Sequence, residues 1–139
     1  MQVARKGNTI VLRLDHGEDI LDSILKSVGD ADSTMILTAG LGMISDFELG
    51  YFDNGQYITK AFSEACELLS MQGSVAAEGD PKLHIHVAVA DRSHAAFGGH
   101  LLRGKVWMSN EIFLMNVEGL GSIRQFDPAK KVGVLQLRT

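Results

Sequence analysis

A chain of 139 residues that is 45% hydrophobic and 22% charged has the size of one globular domain, able to bury a core without disulfide staples. Its one cysteine, Cys66, excludes an intramolecular cystine framework and every cysteine-rich zinc module. Thirteen Lys and Arg against 17 Asp and Glu leave a net charge of -4 with no basic block, which argues against autonomous binding to nucleic acid through phosphates. No stretch is apolar enough to span a membrane, and residues 1–6 lack the apolar run of a signal peptide, so the expected compartment is the cytoplasm.

Fifteen glycines and two prolines point to many turns between short strands. Residues 8–14 read as an apolar strand. Gly17-Glu18-Asp19 then opens the one convincing helix, in which Ile20, Leu21, Ile24, Leu25 and Val28 share a face. Glu18 and Asp19 suit the positive end of its dipole, Gly29 supplies the stop, and the helix is expected to cover one face of a sheet. Residues 34–42 and 46–51 read as two strands, followed by strands at 57–62 and 66–71 that Gly55 and Gly73 interrupt. The Gly40-Leu41-Gly42 run is not a dinucleotide fingerprint, because Ser45 stands where a third glycine belongs and a strand follows. A polar loop at 78–81 precedes a strand at 83–90. Residues 107–117 form a further long strand, with a helix as the alternative from Met108, Ile112 and Met115, and 132–137 closes the sheet. One helix among about eight strands joined by short turns predicts an α+β, mainly antiparallel single domain over 1–139.

Three of the five histidines fall close together: His84 and His86 in Leu83-His84-Ile85-His86-Val87, and His100 in Gly98-Gly99-His100-Leu101. Side chains alternate along a strand, so His84 and His86 share a face with Cα atoms about 6.6 Å apart, close enough to converge on one ion. Leu83, Ile85, Val87 and Val89 take the other face, while Ala88 and Ala90 leave space beside the rings. Imidazole suits zinc and other late divalent metals, and three nitrogens with a vacant position describe an open site. His100 can supply the third nitrogen if a turn at Gly98-Gly99 brings it back across the strand. The same spacing also suits a surface or hydrogen-bonded histidine pair. His94 and His16 lie in turn sequences and take no ligand role.

Glu67 and Glu111 sit inside apolar strand sequences, where an unpaired carboxylate is costly. Either is a candidate fourth ligand, orienting partner or general base beside the metal, against the simpler reading of an exposed strand carboxylate. Arg13, between Leu12 and Leu14, is a candidate for an anionic ligand or for pairing with one of these glutamates. Cys66 reads as a small core residue.

The order of these segments, with Glu67-Leu68-Leu69-Ser70, His84-Ile85-His86 and Gly98-Gly99-His100-Leu101 as its most specific parts, resembles the plants and prokaryotes conserved domain over nearly the whole chain. The resemblance implies a homotrimer of α+β subunits, each a strongly bent antiparallel sheet with a helix packed on it, and a fold relation to α-acetolactate decarboxylase, a zinc enzyme with a three-histidine site. It also implies a metal at His84, His86 and His100. The expected cofactor is therefore a divalent metal, zinc first, with a small anionic ligand as the expected partner and a metal that polarises a carbonyl or activates water if the protein is an enzyme. Plant members couple the domain to AT-hooks, and prokaryotic members often carry a DNA-binding label. This chain has no Arg-Gly-Arg-Pro core, so DNA stands as the alternative partner and a purely structural module as a third reading.

Overall fold

Two long strands set the architecture, and both bend where their pairing slips. The computed structural model describes residues 1–29 and 32–138. It opens with a hairpin of β1 (Gln2–Lys6) and β2 (Thr9–Asp15), joined through Gly7 at φ 57°. A left-handed first position suits a two-residue hairpin turn, which is why glycine stands there. All five residues of β1 are exposed, so no alternation announces this strand in the sequence.

Helix α1 (Ile20–Val28) starts at Asp19, whose carboxylate accepts the Asp22 N–H at 2.9 Å, and stops at Gly29, whose N–H donates to the Leu25 carbonyl at 3.1 Å. Its buried face differs from the expected one. Ile20, Ile24 and Val28 are buried, but Ser23 and Ser27 join them while Leu25 stays 39% exposed. Two short serines let the helix lie close to the sheet, and the Ser27 hydroxyl is satisfied by the Ile24 carbonyl at 2.7 Å. The Arg5 guanidinium donates to the Ser27 carbonyl, tying β1 to the end of the helix that favours a cation.

The remaining strands are β3 (Met35–Asp53), β4 (Gln56–Phe62), β5 (Cys66–Val75), β6 (Glu78–Gly79), β7 (Leu83–Ala90), β8 (Ala96–Asn116), β9 (Gly121–Asp127) and β10 (Val132–Arg138). The two strands expected at 34–42 and 46–51 are one bent strand, β3. Its register with β8 slips at four places, and left-handed backbone at Gly42 (φ 131°), Asp46 (φ 45°) and, on β8, Met108 (φ 64°) marks the bends. At Gly42 a side chain is excluded outright, since a Cβ there would lie 2.1 Å from the Ser109 carbonyl oxygen. Of the strand expected at 107–117, residues 107–116 are the second half of β8, and the helical alternative for them is wrong.

Seven strands form one sheet in the order β1-β2-β8-β7-β5-β3-β4, with β8 also paired to β3. The sheet thus curls until β8, β7, β5 and β3 make a ring, all antiparallel. The tail does not close this sheet as expected. Instead β10 pairs with β9, and β9 with the short β6, in a separate three-stranded sheet. Within the ring and under α1 lies the core, including Leu12, Ile24, Leu37, Met71, Ile85 and Ile112, each with 1% exposure or less. Ile24→Ala is expected to cost about 2–5 kcal/mol of unfolding free energy in urea titration, whereas Leu25→Ala, on the same helix but exposed, costs less than about 1.

Candidate metal centre

Along β7 the alternation holds: Leu83, Ile85, Val87 and Val89 are buried in the core, and His84, His86 and Ala88 face outward. The neighbouring strands complete that outer face. Across β5, Ser74 lies opposite His84 and Gln72 opposite His86; across β8, His100 lies opposite His86. His100 is therefore brought in by strand pairing and not by a turn at Gly98-Gly99. The turn lies earlier, at residues 91–95, where the Asp91 carboxylate accepts the Ser93 and Ala95 N–H groups at 2.8 and 3.1 Å and exposed His94 takes the left-handed position (φ 65°). The two glycines serve close approach. A Cβ on Gly98 would sit 2.2 Å from the Val87 carbonyl oxygen, and one on Gly99 would sit 3.0 Å from that of Gly50.

The three imidazoles converge. Their ring centroids are 5.0, 5.1 and 5.4 Å apart, one nitrogen from each lies within 4.8 Å of the others, and Nε2 of His84 stands 3.1 Å from Nε2 of His86. Tetrahedral zinc with bonds of about 2.0–2.1 Å places neighbouring ligand nitrogens about 3.3 Å apart, so the His84–His86 pair is spaced as ligands are. Nδ1 of His100 is buried without a hydrogen-bond partner, an acceptor or donor left for something outside the chain. The donor set and this orphaned nitrogen fit a divalent metal.

Electrostatics disfavour the protonated form of His84 and His100. Burial, then the charges of His84, His86 and Arg124, lowers His100 to about 4, and burial followed by Arg124 and His86 lowers His84. Neutral imidazole is the form that binds metal.

Of the other expected site residues, none joins the cluster. Glu67 lies exposed opposite Ala90, at the far end of β7 from His84. Glu111 faces Arg13 across β2 and β8, on the distant half of β8, and the Arg13 guanidinium donates instead to Asp15 at 2.9 and 3.0 Å. Both carboxylates are exposed, so the apolar sequence around them reflects the buried face of their strands only. Cys66 is buried as expected, and burial pushes its thiol up.

Two residues at the cluster had no signal in the sequence. Tyr57 of β4 packs its ring 4.8 Å from that of His100. Arg124 of β9 is only 6% exposed and donates from Nη2 to Ser74 Oγ at 3.0 Å, directly beside His84. A pair of buried hydroxyls positions it: Thr34 donates to Ser122 Oγ at 2.6 Å, and Ser122 lies two places before Arg124 on the same inward face. Strand β9 escapes detection because its inward positions are polar, Ser122 and Arg124, where periodicity looks for apolar residues. In protein stripped of metal, His100 binds its proton more weakly folded than unfolded, so stability falls as pH drops from about 6.5 towards 4. Thermal melts of chelator-treated protein are expected to show this slope, and His100→Gln to flatten it.

Comparison with known proteins agrees with this geometry. Residues 1–118 match the model of the Plants and Prokaryotes Conserved (PCC) domain. A bifunctional protein GlmU of Synechococcus is 32% identical over 130 residues, 91% of this chain, although the chain spans only 19% of that relative's length. Among solved structures, a metal-containing protein of Archaeoglobus fulgidus is 27% identical with a TM-score of 0.81, covering 94% of each chain. A Ralstonia eutropha protein, provisionally named as DNA-binding, is 25% identical with a TM-score of 0.84 over 98% of this chain and 96% of its own. A Staphylococcus aureus protein similar to α-acetolactate decarboxylase shares the fold more remotely, with 15% identity and a TM-score of 0.52 over 85% of this chain and 54% of its own. By the extent of the family match and the agreement of fold, the chain belongs to the Plants and Prokaryotes Conserved (PCC) domain family.

Proposed function

We propose that the protein binds a divalent metal, zinc first, through His84, His86 and His100, and presents a small anionic ligand to its open position. The observation that carries this reading is the convergence of three imidazole nitrogens within 4.8 Å on paired strands, with Nδ1 of His100 buried and unpartnered. The metal in the Archaeoglobus relative supports it. When bound, zinc supplies a Lewis acid that polarises a carbonyl or acidifies a water. The chain's part is to hold three nitrogens in a fixed array, to disfavour protonation of His84 and His100, and to leave Ala88 rather than a larger side chain beside them.

The working particle in this reading is a homotrimer. Its support is the apolar surface this chain leaves uncovered, including Met108 at 66% exposure and, on the edge strand β4, Ile58 at 57%, which lines an apolar groove of about 820 Å³ with Phe62 and Phe97. DNA association is the second reading, resting on the name of the Ralstonia relative. It is disfavoured by the charge of -4 and the lack of a basic block.

Elemental analysis after zinc loading and desalting is expected to find about one zinc per chain in the wild type and almost none in His84→Ala/His86→Ala. Equal metal content in the two proteins overturns the site. Light scattering on a sizing column is expected to give three times the chain mass at micromolar concentration; a monomer there removes the trimer.

A further inference from the structure

Arg124 is the buried group that metal binding leaves unexplained. The guanidinium is 94% buried by its 6% exposure, yet no carboxylate lies within ion-pair distance of it among the described residues. Nη2 donates to Ser74 Oγ, and Nε is buried with no partner at all. An arginine cannot shed its proton to escape this position, so the uncompensated charge is destabilising as it stands. Such an arrangement persists when the charge has a use, and its place in the fold says which.

Ser74 and His84 are register partners on adjacent strands, so their side chains rise from the same face, and the guanidinium anchored on Ser74 is brought to the His84 end of the imidazole cluster. The stem is held too: β10 crosses it at Gly133, where a Cβ would lie 3.4 Å from Arg124 Cγ, and Ser122 fixes β9 to Thr34. A rigidly mounted, fork-shaped cation without a carboxylate partner, on the same face as the three histidines, suits a small carboxylate. Its negative charge offsets the guanidinium, its oxygens accept from the free Nε–H, and its other end reaches the open position over the histidines.

We infer that Arg124 is the carboxylate-binding residue of this site, so that the natural ligand is a small organic acid held between the guanidinium and the three-histidine centre. This rests on the metal reading above, but only in part, because the arginine is present whether or not a metal is bound. Arg124 positions the ligand and takes no proton from it.

Calorimetric titration with malonate, on zinc-loaded and on zinc-free protein, separates the two claims. Zinc-loaded wild type is expected to bind malonate at least tenfold more tightly than Arg124→Gln, with Arg124→Lys between them and Arg13→Gln unchanged, while zinc content stays the same in all four. Zinc-free wild type is expected to keep a weaker malonate affinity that Arg124→Gln loses. A wild type that retains no zinc but shows this second difference overturns the metal site and leaves the arginine assignment standing. Equal malonate binding by wild type and Arg124→Gln, with or without zinc, overturns the assignment. Arg124→Met guards against a folding defect: it is expected to melt higher than wild type in anion-free buffer, because a buried unpaired charge is gone, and to gain nothing from malonate. A variant that melts lower and is still stabilised by malonate as the wild type is also overturns the inference.

Discussion

Everything at the site depends on how closely the backbones of β7 and β8 approach at Gly98. Residue 98 lies opposite Ala88, and the space there admits no Cβ, so β8 can hold its register against β7 only with glycine at that point. That register sets His100 against His86. His100 is also where β8 begins to pair with Gly50 of β3, so it sits at the corner where the ring of strands closes, bonded on both sides. A ligand at such a corner has its backbone fixed by two neighbours, which is the kind of support that a site needs if three rings are to meet within a few ångströms.

The electrostatics of this corner have two parts that work together. Burial drives the imidazoles of His84 and His100 towards the neutral form, and the Arg124 charge reinforces that by disfavouring a proton. The same burial leaves the guanidinium charged and short of partners. The small second sheet is what brings the guanidinium there, on a strand whose buried positions, Ser122 and Arg124, are polar. Its buried hydroxyl pair, Thr34 with Ser122, replaces the apolar contact that would normally hold such a strand down.

Membership in the family and likeness of fold go only so far. The remote resemblance to a decarboxylase-like protein is a resemblance of strands, and reactions do not travel with folds. The GlmU relatives show the same stretch of sequence within much longer proteins, of which it forms a fifth or less. What this chain's own side chains bring together on one face is the three histidines, with Arg124 anchored on Ser74 opposite His84.

How much of this could be read from the residues alone follows from the range of the forces involved. The helix, its stop at Gly29, and the shared face of His84 and His86 are local consequences of backbone geometry, which helical spacing in the one case and strand alternation in the other are enough to reveal. That His100 joins His84 and His86 was legible from its residue type, but the reason for its position was not, because strand register is set by a neighbour and not by the adjacent turn. Glu67 and Glu111 misled for the related reason that apolar flanks report one face of a strand and say nothing about what the other face meets. The joining of residues 35–53 into one bent strand, the second sheet, and the arrival of Tyr57 and Arg124 at the cluster were decided by tertiary structure. Each brings together segments distant in the chain, and Arg124 reaches its place on a strand whose polar inner face looks, in sequence, like no strand at all.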